Sequence, residues 1–217
     1  MKIGVLGGTG PAGSAVSVRL AAVGVEVLLG SRTLEKATEV VGELSRRWSG
    51  HDLSLVPATN EVAAGADLVV LATPVEGAVG TVRDLADELS GKTLVSMVNA
   101  MVKWDNRFVP LVPYAGSVAM ALSRAVPATQ VAGAFHHLPA GQLGDPDHQL
   151  EADVMVFSDL RSVTDEVIAM VNLVPGLRGI DVGGLGSALA VEALTACLVE
   201  VNRRYKTHAS LRVTGIV

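Results

Sequence analysis

A glycine cluster placed directly after a short apolar run restricts this chain more than any other feature. Ile3-Gly-Val-Leu6 fits a buried strand, and Gly7-Gly-Thr-Gly-Pro-Ala-Gly13 follows without a spacer. Gly8, Gly10 and Gly13 stand at the G-x-G-x-x-G spacing. Residues 14–23 then read as a helix closed by Gly24. Strand, glycine turn and helix in this order make a dinucleotide-binding unit. The glycines let the backbone turn tightly and lie close to a pyrophosphate. The free N–H groups at the helix start would hold its charge. The plainer alternative is a glycine-rich turn in a sheet protein that binds no nucleotide.

The second strand, Val25 to Leu29, ends in Gly30-Ser31-Arg32. A site for NAD usually carries Asp or Glu at this tip, to accept from the ribose 2′-hydroxyl. Here the tip offers a hydroxyl and a guanidinium, with Lys36 one helical turn on. Arg meets a 2′-phosphate in a forked geometry, and a carboxylate would repel it. One or two charge-assisted hydrogen bonds, at roughly 1.5–3 kcal/mol each, give about a 10- to 1000-fold preference for NADP.

Strands and helices alternate along the chain. Residues 33–48 read as an amphipathic helix capped by Thr33 or Ser31, and Leu53–Val56 as a strand. Asn60 is expected to cap a short helix ending near Gly65, and Asp67–Pro74 is a strand with a Thr-Pro exit. Glu76–Leu89 is helical and Thr93–Asn99 extended. This alternation predicts an α/β fold, a Rossmann-like doubly wound and mostly parallel sheet with helices on both faces and a small C-terminal α/β lobe. Ligands in such sheets bind beyond the carboxyl ends of the strands. Gly7–Gly13, Ser31-Arg32, Thr73-Pro74 and Val98-Asn99 should therefore meet in one crevice. Residues 100–115, with Pro110 and Pro113, read as a lid or linker, or as a plain surface connection. A helix is expected at 116–126, a strand at 131–137, a polar loop at 141–152 and a strand at 153–158. A helix at 163–174, a strand at 177–182, a long apolar helix at 185–205 and a short extended tail follow.

Composition narrows the function classes. Of 217 residues, 49% are hydrophobic, which supports a sizeable core. Only 3% are aromatic and the net charge is −5, which argues against nucleic-acid binding. One cysteine excludes an intrachain disulfide. No basic and apolar leader opens the chain, and Gly, Pro, His or charge break the apolar stretches. A cytoplasmic protein without a membrane helix is expected.

Other constellations are weaker. His136 and His137 are placed at a strand end, where adjacent side chains point to opposite faces. At most one should line the crevice while the other packs. With no further ligand at suitable spacing they make a poor metal site, so no metal is expected. No G-x-S-x-G elbow supports hydrolysis. Cys197, inside an apolar helix, is expected to be a buried inert thiol. Glu192 on the same helix is expected to be buried and paired. Arg203, Arg204, Lys206 and Arg212 form either a solvated helix end or a docking patch for an acidic second substrate.

Together these residues resemble the NADPH-dependent coenzyme F420 reductases. The matching pieces are Gly7–Gly13, Gly30-Ser-Arg32 with Glu35-Lys36-Ala37, Thr73-Pro74, Ala134-Phe-His-His-Leu-Pro-Ala140 and Val191-Glu-Ala-Leu-Thr195. They span nearly the whole chain in order. Asn99 to Met101 departs from the more proline-rich loop of that family. The resemblance implies hydride exchange between NADP(H) and an 8-hydroxy-5-deazaflavin. It implies Thr9, Gly10, Pro11 and Ala12 at the pyrophosphate, and Ser31, Arg32 and Lys36 at the 2′-phosphate. Val98 and Ala140 would lie by the nicotinamide, and His136 and Leu138 near the deazaflavin. The basic residues 203, 204, 206 and 212 would face the coenzyme's acidic tail. Both reactants carry their own hydride chemistry, so no indispensable general acid is expected. Residues 1–137 would form the NADP-binding part and 138–217 would complete the deazaflavin site in one compact unit, with a homodimer expected. The competing readings are a reductase of another small acceptor (imine, keto acid or ferric chelate) and a non-catalytic NADP sensor.

Overall fold

Along each central strand, alternate apolar residues face two different cores, and this puts helices on both faces of one sheet. The computed structural model describes residues 1–105 and 107–216. The first half runs β1 (Lys2–Leu6), α1 (Pro11–Ala22), β2 (Glu26–Ser31), α2 (Leu34–Arg47), β3 (Leu55–Thr59), α3 (Asn60–Ala64), β4 (Leu68–Leu71), α4 (Val75–Asp84), α5 (Ala86–Leu89) and β5 (Thr93–Ser96). A hairpin follows, β6 (Met101–Trp104) and β7 (Arg107–Pro110), then α6 (Val118–Ala125) and β8 (Gln130–Gly133). The chain ends with α7 (Ala140–Leu143), β9 (Ala152–Ser158), α8 (Arg161–Asn172), β10 (Leu177–Asp181) and α9 (Ala188–Tyr205), the last entered through a 3-10 turn at Leu185–Ser187.

The main sheet has eight strands in the order β3-β2-β1-β4-β5-β8-β9-β10. Every neighbouring pair is parallel except β8 and β9. Strand order reverses between β1 and β4, and there the carboxyl ends open a crevice. Ile3, Val5, Leu68 and Val70 pack with α1 and α8 in one core. Leu6, Val69, Leu71 and Leu94 pack with α3, α4, α6 and α9 in the other. Each such Leu or Val contributes about 1.5–3 kcal/mol by leaving water. Leu29 seats α2 through Ala37, Val40 and Val41.

Local chemistry sets the element ends. The Thr33 hydroxyl accepts from Lys36 N and caps α2, as expected. The cap of α3 is Thr59, not Asn60, whose side chain turns to the glycine loop instead. Residues 100–115 contain an antiparallel hairpin rather than a structureless connection, with Val102 opposite Val109 and Lys103 opposite Phe108. Its period-2 pattern is masked because both faces are largely exposed. The strand expected to reach His137 stops at Gly133, and Phe135 then adopts a left-handed φ of 62°. The loop expected at 141–152 begins inside α7.

One expectation about the last helix is corrected. Residues 185–205 are long and apolar enough to cross a membrane by length and composition alone, with a window of mean hydropathy 1.4, a test that the core helix of a globular protein also passes. Cys197 is exposed rather than buried, because it lies on the outward side of α9. The inward side carries Glu192, whose carboxylate accepts from Val118 N at 2.8 Å and Ala119 N at 3.0 Å. It thus caps α6 from across the core, and burial pushes its carboxyl up.

Candidate functional site

The glycine loop is bound on two sides. Gly7 takes a φ of 73°, open to a residue without Cβ. Its N–H donates to Asn60 Oδ1 at 3.2 Å. Gly8 N donates to Gly30 O at 2.8 Å, which ties the loop to the end of β2. A Cβ on Gly13 would stand 2.4 Å from Gly7 O, so only glycine lets α1 begin this close to the loop. Pro11 occupies the first turn of α1, and no side chain caps that helix. The first-turn N–H groups of Ala12 and Gly13 have no intrahelical partner, and Ala12 lines the crevice.

Two adjoining clefts occupy the strand-order reversal. One, of about 600 Å³, is lined by Gly7, Thr9, Ser31, Arg32, Lys36 and Asn60 among others. The second, of about 330 Å³, is lined by Pro11, Ala12, Met97, Val98 and Asn99 among others. Gly10, Ala72, Thr73 and Pro74 belong to both. The four strand ends expected to meet do meet. Ala140 does not join them. It lines a separate cleft with Ser14, Trp48 and Gly144, in contact with the others only through Pro11.

The polar atoms around the larger cleft favour an anion at one end. Ser31 is buried and Arg32 exposed. Lys36 Nζ donates to Glu39 Oε2 at 2.8 Å, and that partner raises its pKa. No acidic side chain lines this cleft among the described residues. Thr73 Oγ1 is buried without a hydrogen-bond partner at the wall between the clefts.

His136 and His137 follow a different plan from the alternating pair expected. Both are buried, because they lie on the turn after β8 and not on a strand. The His136 ring stacks on Phe157 with centroids 5.5 Å apart. Neither of its nitrogens has a partner. Burial, with His137 adding to it, lowers its pKa to about 3. His137 Nε2 lies 2.7 Å from Asp153 O, which can only accept, so Nε2 carries the proton. Leu138 is half-buried against the first core. No cluster of metal-ligating side chains is found among the described residues.

The basic C-terminal residues are partly compensated. Arg203 and Arg204 pair with Glu200. Arg212 lies 3.9 Å from Glu151 and 3.8 Å from Asp153. Lys206 ends α9 in a left-handed conformation.

Residues 2–100 match the family described as NADP oxidoreductase, coenzyme F420-dependent. The F420-dependent NADP reductase of Methanothermobacter thermautotrophicus is 32% identical over all of this chain and 96% of its own length. The chain belongs to the F420-dependent NADP reductase family. A second member, from Methanocaldococcus jannaschii, is also 32% identical, over all of this chain and 99% of its own. The fold is shared with a solved structure described as a candidate F420-dependent NADP reductase from Arthrobacter sp. FB24, at TM-score 0.84, 23% identity and 99% coverage of both chains. An imine reductase from Streptomyces aurantiacus shares it more distantly, at TM-score 0.59, 20% identity, 94% of this chain and 62% of its own.

The site residues fit the dinucleotide that the family name contains. The glycine loop leaves a cradle that a Cβ would fill, suited to a pyrophosphate, and the Ser31-Arg32 end, with no acidic side chain lining it among the described residues, would suit a 2′-phosphate. Asn60, Thr81 and Gly77 also line the larger cleft, although the sequence reading had not assigned them to it. In the sequence Asn60 reads only as a helix cap, not as a residue of the cleft.

Proposed function

We propose that this chain transfers a hydride between NADP(H) and the 8-hydroxy-5-deazaflavin coenzyme F420. Family membership supports the reaction. The observation that carries it to this chain is the pair of adjoining clefts, which join an end lined by Ser31, Arg32 and Lys36 to an end lined by Met97 and Val98 at the strand-order reversal. Ser31, Arg32 and Lys36 would hold the 2′-phosphate, and Thr9, Gly10, Pro11, Ala12 and Gly13 the pyrophosphate. Gly7 shapes the loop, while Thr73 and Pro74 form the shared wall. Val98 stands at the ring end. Ala140 is assigned to the nicotinamide by resemblance, from its place across Pro11.

When bound, the two coenzymes supply the hydride donor and acceptor carbons. The chain's own work is then positioning. Two flat rings must meet with reacting carbons about 3–3.5 Å apart, shielded from water. Met97 and Val98 give an apolar wall for this, and Thr73 Oγ1 is an orphan donor that a ligand can satisfy. His136 and Leu138, with residues 138–217, are assigned to the deazaflavin side. Buried against Phe157 and neutral, the His136 ring would support that side from behind and supply no proton. Arg203, Arg204, Lys206 and Arg212 are assigned to the acidic tail of the coenzyme.

A homodimer is part of this reading. Leu189, Ala190 and Cys197 leave an apolar outer face on α9, and Trp104 and Phe108 are exposed on the hairpin beside it. A C2 pairing through this face would bury both. Light scattering at twice the chain mass supports it, and a monomeric mass rejects it.

The deciding experiment mixes purified protein with NADPH and oxidised F420, with NADH in parallel. Loss of the deazaflavin's visible absorbance with NADPH, and much less with NADH, is expected. Absence of turnover alongside tight NADP binding would point to another acceptor or to a sensor.

A further inference from the structure

The side chain of Asn60 reaches across a strand. It follows β3, whose Thr59 stands beside Ser31 of β2. Yet it extends over the end of β2 to the loop after β1, where Oδ1 accepts from Gly7 N at 3.2 Å. Gly30 makes the crossing possible, since a Cβ there would stand 2.9 Å from Oδ1 and 2.7 Å from Val5 O. The contact also fixes the amide's orientation. A backbone N–H only donates, so the atom facing Gly7 is the oxygen, and Nδ2 lies on the other side of the group. Nδ2 has no partner among the described residues and is not sealed from solvent. Asn60 lines the larger cleft together with Gly7, Ser31 and Arg32. A neutral amide nitrogen with two N–H groups to give is thus held between the glycine loop and the tip of β2.

We propose that the Asn60 amide has two duties: Oδ1 sets the first glycine of the loop, and Nδ2 donates to an acceptor oxygen on the 2′-phosphorylated ribose of NADP(H). This assignment rests on the larger cleft being the NADP(H) site. The covalent order of the coenzyme supplies the reason. Its adenosine ribose joins the pyrophosphate to the 2′-phosphate. With the first on the glycine loop and the second on Ser31 and Arg32, the ribose spans the gap that Asn60 bridges. Two ribose substituents carry a suitable oxygen, the 2′-phosphate and the 3′-hydroxyl. A carboxylate at this position would still accept from Gly7 N. It would then turn a second acceptor and a negative charge toward the ribose. Only an amide serves both duties.

Binding is measured on the full chain, as wild type, Asn60→Ala and Asn60→Asp. NADP and NAD are titrated by calorimetry, and 2′-AMP by its displacement of NADPH fluorescence. The last probe keeps the ribose, its 3′-hydroxyl and its 2′-phosphate, but has no pyrophosphate to touch the glycine loop. Asn60→Ala should weaken 2′-AMP about three- to tenfold where the acceptor is the hydroxyl, and at least about tenfold where it is the charged phosphate. The phosphate also shows as a larger loss for NADP than for NAD, and the hydroxyl as an equal loss for both. Asn60→Asp keeps the Gly7 contact and should still weaken 2′-AMP. Its loss relative to wild type should persist at high salt, where repulsion between exposed charges is screened but a missing donor is not restored. If Asn60 does no more than hold Gly7, 2′-AMP binds Asn60→Ala as it binds the wild type, and that result overturns the proposal. So does an Asn60→Asp loss that vanishes at high salt, which also decides the matter should Asn60→Ala fail to fold. A wild type that binds neither NADP nor 2′-AMP rejects the larger cleft as the coenzyme site. Variants that match a wild type binding both reject the role of Asn60 alone.

Discussion

Glu200 grips Arg203 with both oxygens: Nε donates to Oε2 at 2.9 Å and Nη2 to Oε1 at 2.7 Å. Arg204 Nε donates to the same Oε1 at 2.7 Å. One carboxylate therefore answers two of the four cations assigned to the acidic tail of F420. These bonds hold its pKa down to about 2, so it stays charged at any working pH. Replacing Glu200 by Gln should leave both guanidiniums free for an anionic ligand. The KM for F420 should fall by up to about fivefold, the range of an exposed ion pair. The effect should shrink at high salt, since exposed charges are screened there. Steady-state kinetics at two ionic strengths checks this, and an unchanged KM at both would place the tail elsewhere.

Coenzyme choice should rest on Arg32. It is exposed at the tip of β2, with no acid lining the cleft beside it. Lys36 is already engaged by Glu39 at 2.8 Å, so it has less to give. Arg32→Ala should raise the KM for NADPH about 10- to 100-fold, the loss of a charge-assisted fork to phosphate. NADH kinetics should hardly move. Lys36→Ala should cost NADPH less than tenfold. The ratio of kcat/KM values for the two coenzymes measures this directly.

The nucleotide end was legible because local rules decide it. Glycines that a Cβ would push into Gly7 O announce themselves by spacing, and the strand–turn–helix order is read from a few adjacent residues. The hydrogen bonds of the Asn99 amide, donated to His136 O and accepted from Thr195, could not be read in the same way. They join residues 37 and 96 positions apart, and no periodicity links them. The two His were placed on alternating faces because Val131 to His137 looks like one strand. The chain instead leaves the sheet at Gly133 and turns at Phe135 with positive φ, a conformation that a β-type pattern hides. The hairpin at 101–110 was missed for the opposite reason: its strands bury neither face, so no alternation marks them.

Arg19 should be a keystone for the segment after α7. It is buried on α1 and, among the described residues, forms no ion pair, so burial lowers its pKa although the Asp145 charge opposes this. Its Nε donates to Leu143 O at 2.8 Å and its Nη2 to Gln142 O at 2.8 Å and to Asp145 O. Nη1 reaches His148 O at 3.3 Å. Arg19→Leu would leave these carbonyls without a donor, at about 1–3 kcal/mol for each one that water cannot reach. A loss of about 3 kcal/mol or more is expected, lowering Tm by roughly 6–12 °C for a chain of this size. Arg19→Lys should recover only part, because an ammonium cannot fork across several carbonyls. Thermal unfolding of the three proteins tests the order.

Acid should unfold this protein partly through His136. The folded ring sits at about 3, because burial disfavours its charged form and His137 adds repulsion. The unfolded ring titrates near its ordinary value of 6.5. Between these two values the unfolded chain binds a proton that the folded chain refuses. Stability therefore rises with pH across this window and is lost as pH falls through it, by at most about 1.4 kcal/mol per pH unit for this residue. His137 and Asp153 push the same way, since both are lowered in the fold. Glu192 pushes the other way, because burial raises it. Urea midpoints of the wild type should drop steeply between pH 6 and pH 5, and those of His136→Leu should drop less. At pH 6 to 8 the ring is neutral, so kcat should show no ionisation that His136→Leu removes. Equal acid slopes in the two proteins would mean that the ring reaches water, and that its unpartnered nitrogens are satisfied there.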